Sequence, residues 1–315
     1  MPDSKDINIY MDSLGSSAKR ASRILSQASV EQKNSALLSI AEKIDLKRQD
    51  ILKENQYDLA EAKKKEIGDA LIDRLELTQD RIDSMISGIK VVSELPDPVG
   101  EIMDEWERPN GIKIKQIRVP IGIIGIIYES RPNVTVDASA LSFKSGNPCI
   151  LRCGADSINS CNEIFRSIEQ SIADIGLPKS CIQFINNSDR QLVKEILSLS
   201  EYIDVVIPRG GKNLIKLVDE ISSIPVLKHL DGICHVYIHE DADLKKALDI
   251  SINSKTQRTG VCNAMETLIV DKTISSTFLP HLEKELIKKD VEIRGCSETK
   301  KVLPGIKDAT LEDWS

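Results

Sequence analysis

Residues 118–152 read RVPIGIIGIIYESRPNVTVDASALSFKSGNPCILR, and this stretch decides the fold. Val119–Tyr128 is a continuous apolar run. A strand wetted on one face alternates polar and apolar residues, whereas a strand buried on both faces reads as an unbroken run. A helix is expected over about 134–144, then a Ser145-Gly146-Asn147 turn and a second strand, Cys149–Arg152. Downstream the alternation continues. A helix over about 157–174 stops at Gly176-Leu177-Pro178, followed by strand Ile182–Ile185, helix 189–199 and strand Ile203–Ile207. An Arg209-Gly210-Gly211 turn, helix 212–222 and strand Val226–Lys228 complete the series. Strands alternating with helices at this spacing imply βαβ units, a parallel sheet and a doubly wound, nucleotide-binding type of domain.

Upstream, residues 1 to about 95 read as helices. Ala18, Ala21, Ile24 and Leu25 recur at helical spacing, as do Leu37, Leu38, Ile40, Ala41 and Ile44. Lys63-Lys64-Lys65 sits among acids and reads as a solvated helix face. Leu95–Gly100, with two prolines, marks an elbow. The alternation of Gly111–Val119 predicts an exposed antiparallel arm. A second domain opens near 231, with strand Cys234–Ile238, helix 242–253, loop Ser254–Asn263, strand Glu266–Val270, helix 274–288 and strand Val291–Arg294.

The chain has 315 residues, enough for about two domains. It is 41% hydrophobic and 29% charged, which excludes wholesale disorder. Aromatics are only 3%, so aliphatic side chains fill the core and base-stacking nucleic-acid modules are disfavoured. A net charge of −7 argues against a binder of phosphate backbones and fits a cytoplasmic protein. The N-terminus lacks the apolar run of a signal peptide. Val119–Tyr128 is too short to span a bilayer, so no membrane partner is expected.

Seven cysteines, an odd number, in a chain of this length argue against a disulfide framework. Six of them read as small buried hydrophobes; Cys262 is the exception. There is no GxGxxG, Walker A or HExxH motif, and the four histidines show no ligand spacing, so no metal is expected. In VVIPRGGKNLI (205–215), Arg209, Gly210 and Gly211 end a strand just before a helix. This is either an ordinary turn or a phosphate seat built from backbone N–H groups. Polar residues follow the first buried strand, at the end where open α/β sheets place ligands. Among them, Arg131 is a candidate for a carboxylate or phosphate. Asn133 reads either as a helix N-cap or as an amide donor to an oxyanion, and the local sequence favours the cap. In SKTQRTGVCNAMETLIV (254–270), Gly260 permits a tight turn before Cys262, and Lys255 and Arg258 make the loop electropositive, which favours a thiolate.

Four segments carry a resemblance: 118–152, IDVVIPRGGKNLI (203–215), IPVLKHLDGICHVYI (224–238) and KTQRTGVCNAMETLIV (255–270). Together with Asp97-Pro98-Val99-Gly100 and the N-terminal helices, they resemble the gamma-glutamyl phosphate reductases (glutamate-5-semialdehyde dehydrogenases) of the aldehyde dehydrogenase superfamily. The resemblance covers the whole chain. It implies an aldehyde dehydrogenase-like α/β fold. Residues 1–230 would hold the N-terminal helices and a doubly wound NADP-binding domain, and 231–315 a partial α/β catalytic domain.

The implied reaction is NADPH-dependent reduction of L-glutamyl 5-phosphate to L-glutamate 5-semialdehyde and phosphate, the second step of proline synthesis from glutamate. Cys262 would be the nucleophile, through a thioester, with Asn133 and the Cys262 N–H stabilising the oxyanion. The resemblance thus reverses the local preference at Asn133. Arg152 would face the 2′-phosphate of NADPH, Arg209, Gly210 and Gly211 the cofactor phosphates, and Arg131 and Arg258 the substrate's charges. Where hydrolytic relatives carry a water-activating Glu, this chain reads His229-Leu230-Asp231-Gly232-Ile233, which favours release to phosphate over hydrolysis. Two departures stand out: Cys153 replaces a usual glycine and is expected to crowd the adenosine pocket, and Thr259 replaces a usual proline.

The resemblance further implies a homo-oligomer when full length and allows a glutamate 5-kinase as partner. The family's sequence continues past Leu311-Glu312-Asp313-Trp314-Ser315, so the chain is expected to be a fragment. The competing readings are a non-phosphorylating NAD(P)-dependent semialdehyde dehydrogenase and an inactive cofactor-binding remnant.

Overall fold

Five helices precede the first strand: α1 Ser4–Leu25, α2 Val30–Leu46, α3 Arg48–Lys64, α4 Asp69–Leu75 and α5 Gln79–Glu94. The computed structural model describes residues 4–189, 191–229, 232–259 and 261–314. Ser29 and Gln32 form a reciprocal capping box that starts α2, and the Thr78 hydroxyl caps α5. The helical repeats bury Ala18, Ala21, Leu25, Leu37, Ile40, Ala41 and Ile44. Ile24 and Leu38, expected on the same faces, lie exposed. After the elbow come β1, Ile102–Glu107, and β2, Lys113–Ile117, an antiparallel ribbon exposed along almost its whole length.

The chain divides into two compact units, Met1–His229 and Leu230–Ser315. The first is built on β3 Ile124–Tyr128, α6 Pro132–Lys144, β4 Cys149–Arg152, α7 Ile158–Asp174, β5 Ile182–Phe184, α8 Gln191–Ser198, β6 Val205–Arg209 and α9 Lys212–Ile221. The four strands run parallel in the order β5-β4-β3-β6. Every residue of β3 and β4 is buried, as the apolar runs demand.

Because successive strand residues point to opposite faces, the sheet feeds two separate cores. Ile124, Ile126, Tyr128, Cys149 and Leu151 pack with the layer that includes Phe143, Ile164 and Ile168. Ile123, Ile127 and Ile150 pack on the other side with Met11, Ile196 and Val218. The expected strand at Val226–Lys228 reduces to one parallel bridge between Val206 and Val226. The bridge is closed by two bonds, the Val206 N–H on the Pro225 carbonyl and the Leu227 N–H on the Val206 carbonyl, both at 2.9 Å.

The second unit pairs β7, Cys234–Ile238, with β8, Met265–Val270, in parallel. Helices α10, Leu244–Thr256, and α11, Lys272–Ile287, supply a core of Ala247, Phe278, Leu282 and Leu286 against Ile238. The expected strand Val291–Arg294 contracts to β9, Arg294–Gly295. It is followed by α12, Ser297–Val302, and pairs with β10, Lys307–Asp308. Among the described residues, no helix is long and apolar enough to cross a membrane.

A buried carboxylate ties the N-terminal helices to α7. The buried Asp58 carboxylate on α3 accepts the N–H groups of Asn159 and Ser160, the Asn159 amide and the Ser160 hydroxyl, at 2.5–3.3 Å. It therefore caps α7 from about a hundred residues away in sequence. Burial pushes the Asp58 carboxyl upward, and these four donors oppose that shift. Asp58→Ala leaves buried donors unsatisfied and is expected to cost about 3 kcal/mol of stability. The denaturant midpoint, followed by far-ultraviolet circular dichroism, measures this; a loss below about 1 kcal/mol would show that α7 finds another cap.

Candidate active site

In the first unit, β3 leads to α6 on one side of the sheet order and β6 leads to α9 on the other. The crevice at the carboxyl ends of β3 and β6 is therefore the topological switch point, where doubly wound sheets bind ligands. Tyr128 closes β3, fully buried, and its hydroxyl lies 2.7 Å from that of Thr135, tying the strand end to α6. Ser130 then takes a left-handed backbone with φ 41°, unusual for a residue with a side chain, and is buried. This kink turns the chain from strand into helix. Arg131 is the N-cap residue of α6 and Pro132 its first helical residue.

Asn133 accordingly stands inside the first turn, and the expectation that it is an N-cap is overturned. Proline at the first helical position moves the helix start ahead of it. The Asn133 amide donates instead to Asp137 Oδ2 at 3.0 Å. The charge of Arg209, at the end of β6, acts on the same Asp137 carboxylate. Arg209, Asn133 and Asp137 thus share one end of the sheet.

Across the crevice, Gly211 precedes α9 and offers no side-chain cap. Its N–H donates to Glu129 Oε2 at 2.9 Å, and the Glu129 N–H donates to the Arg209 carbonyl at 3.1 Å. A Cβ on Gly210 would lie 2.5 Å from Glu129 Oε2 and 2.7 Å from Leu214 Cδ2, so any side chain there would displace the Glu129 carboxylate and the Leu214 tip. Sequence reasoning missed Glu129 and Ser130. Their signal was position: they are the first two residues beyond a buried parallel strand.

Arg152 ends β4, buried, with Nη2 donating to the Ser188 carbonyl at 3.0 Å. The neighbouring Cys153 points into the core. It is 1% exposed and belongs to the core beside Cys161. Its hydrogen bond with Cys161, together with burial, pushes its thiol well above the usual range.

In the second unit, Cys262 is exposed in a turn closed by the Ala264 N–H on the Val261 carbonyl at 3.2 Å, immediately before β8. The Cys234 thiol, at the start of β7, donates to the Cys262 carbonyl at 3.3 Å. Cys234 was read as a core thiol; it is half-buried and holds the backbone of this turn. Cys296, also expected in the core, is exposed at the N-cap of α12, whereas Cys149, Cys161 and Cys181 are buried as expected. Lys255 lies in the last turn of α10, not in a loop, and pairs with Glu266 at 2.9 Å. That carboxylate offsets the positive charge expected beside Cys262. Arg258 follows α10, exposed. Gly260 and Asp231 lie outside the described residues.

A model of the aldehyde dehydrogenase family matches residues 8–311. The chain belongs to this family. A curated relative, the gamma-glutamyl phosphate reductase of Clostridium kluyveri, is 50% identical over 298 residues, which are 95% of this chain and 71% of the relative. The solved gamma-glutamyl phosphate reductase of Thermotoga maritima has a TM-score of 0.89 at 45% identity, over 96% of this chain and 73% of that one. The Saccharomyces cerevisiae structure of that name scores 0.66 at 36% identity, over 92% and 73%. Members of the aldehyde dehydrogenase family are oxidoreductases that use NAD(P), and this chain is an oxidoreductase of that family. The first unit fits such a dinucleotide. It has the switch-point crevice, a helix N-terminus approached over two glycines, and a guanidinium at the end of the second strand of the series.

Proposed function

We propose that the chain reduces L-glutamyl 5-phosphate to L-glutamate 5-semialdehyde and phosphate with NADPH, the second step in making proline from glutamate. The observation that carries this reading is 50% identity to a gamma-glutamyl phosphate reductase across 95% of the chain.

Cys262 is the nucleophile, and its exposed position on a turn leaves the sulfur open to an acyl carbon. Its thiolate attacks that carbon and forms the C–S bond. The C–O bond to phosphate then breaks, leaving a thioester. NADPH, when bound, supplies the hydride that reduces the thioester. The resulting thiohemiacetal on Cys262 releases the aldehyde and regenerates the thiolate. Both tetrahedral species carry an oxyanion, for which Asn133 Nδ2 and the Cys262 N–H are the donors. The Asn133 amide exchanges its bond to Asp137 for one to the oxyanion as negative charge builds there.

Arg131 and Arg258 meet the substrate's carboxylate and phosphate. Arg152 favours the cofactor carrying a 2′-phosphate, and Arg209, Gly210 and Gly211 face its other phosphates. Arg152→Ala is expected to lower the preference for NADPH over NADH by about tenfold in kcat/KM. An unchanged ratio would move the 2′-phosphate elsewhere. The chain works in the cytoplasm as a homo-oligomer; apolar residues exposed on the β1–β2 ribbon, such as Ile102, Met103 and Ile117, support assembly. The lability of an acyl phosphate favours supply by an adjacent glutamate 5-kinase.

The decisive assay runs the reaction backwards. With L-glutamate 5-semialdehyde and NADP+, NADPH should accumulate only when phosphate is present, because phosphate must take the acyl group from sulfur. Equal turnover without phosphate would establish the non-phosphorylating semialdehyde dehydrogenase instead.

A further inference from the structure

The Glu129 carboxylate sits where the reading above would place a phosphate. Gly211 opens α9, a helix of ten residues whose N-terminus favours an anion, yet its own N-cap carries no side chain. The Gly211 N–H is taken instead by Glu129 Oε2 at 2.9 Å, from a residue 82 positions earlier in sequence. Three features hold the carboxylate in that seat. The Glu129 N–H is fixed to the Arg209 carbonyl. Ser130, in its left-handed conformation, bends the chain immediately after it. Gly210 leaves out the Cβ that would strike Oε2 at 2.5 Å. The glycine pair that lets a backbone approach phosphate closely therefore also admits this carboxylate.

We propose that Glu129 is a displaceable internal anion that competes with the dinucleotide phosphate for the N-terminus of α9. The proposal deepens the NADPH reading and rests on it. One N–H cannot serve two anions at full strength, and two anions side by side repel. The cofactor phosphate enters only as Glu129 swings out. Glu129 is exposed, so its carboxylate moves into water at little desolvation cost. The exchange lowers affinity for the cofactor and leaves a ligand ready to reclaim the seat as NADP+ departs.

The test is direct binding, read by titration of NADPH fluorescence against the wild type, Glu129→Gln and Glu129→Ala. Gln keeps an acceptor for Gly211 and removes the charge; Ala removes both. Circular dichroism confirms that each variant is folded, and the two variants guard against failure of either one. Both should bind NADPH about fivefold more tightly, the scale of one carboxylate at a helix N-terminus. Competition by 2′-phospho-ADP-ribose, which carries the pyrophosphate, should improve to the same extent. Competition by adenosine 2′-monophosphate, which lacks it, should not change. A purely structural cap would not separate these two probes. Unchanged or weaker NADPH binding in both variants overturns the proposal, as does an equal gain for adenosine 2′-monophosphate. If NADPH binds none of the three proteins, the NADPH reading itself fails and takes the proposal with it.

Discussion

Cys262→Ser should reduce turnover of the acyl phosphate by about 10,000-fold or more while NADPH still binds. Charge is the reason. A serine hydroxyl ionises far less readily than a thiol, and an alkoxide leaves an acyl adduct less readily than a thiolate. No acyl-enzyme should then form at a useful rate. The substitution removes no packing, because Cys262 is exposed on its turn and the turn is closed by backbone atoms of Val261 and Ala264. The proposed cofactor contacts lie in the other unit, so NADPH fluorescence on binding should persist. Mass spectrometry of the wild type, quenched during turnover, should find the acyl group on Cys262. Retained turnover in the Ser variant, or an acyl group on Cys234, would remove Cys262 from its role.

Asn133→Ala should lower kcat by about 100- to 1,000-fold with little change in KM, the pattern for losing a donor used only in the transition state. The helix should survive, since Arg131 and Pro132 set its start and the Asn133 side chain bonds to Asp137, one turn along. The Asp137 partner offers a control. Asp137→Asn removes the carboxylate that holds the Asn133 amide but leaves the amide itself, so it should cost far less than Asn133→Ala. If both variants lose the same activity, the pair acts as a structural clamp. A loss below about fivefold at Asn133 would leave the Cys262 N–H as the principal donor.

The sheet was legible because parallel strands covered on both faces leave a strong signature. Ile124–Tyr128 and Cys149–Arg152 are apolar almost without interruption, and glycine or proline marks the turns between elements. The weaker strands were less legible because pairing, not composition, makes them. Val226–Lys228 and Val291–Arg294 have suitable residues, but only a bridge or a two-residue ladder forms. The local reading of Asn133 as a cap misses by two positions, because Pro132 takes the first helical position and Arg131 becomes the cap.

Of the candidate site, the residues with distinctive chemistry could be picked out: Cys262, and the arginines at strand ends. What could not be read was partnership. Glu129 finds Gly211 across 82 residues, Cys234 finds the carbonyl of Cys262 across 28, and Lys255 gives its charge to Glu266. Each depends on where a strand or helix is laid in space, and no local spacing announces it.

The exposed β1–β2 ribbon sets the optics of the molecule. The chain has two tryptophans: Trp106, on that ribbon and 40% exposed, and Trp314, 46% exposed in the second unit. Neither indole lies in the sheet core. Indole emission should begin red-shifted, be quenched readily by acrylamide, and change little as the interior melts. A thermal trace at 340 nm would report the ribbon and the 311–314 turn, and leave the doubly wound sheet spectroscopically silent.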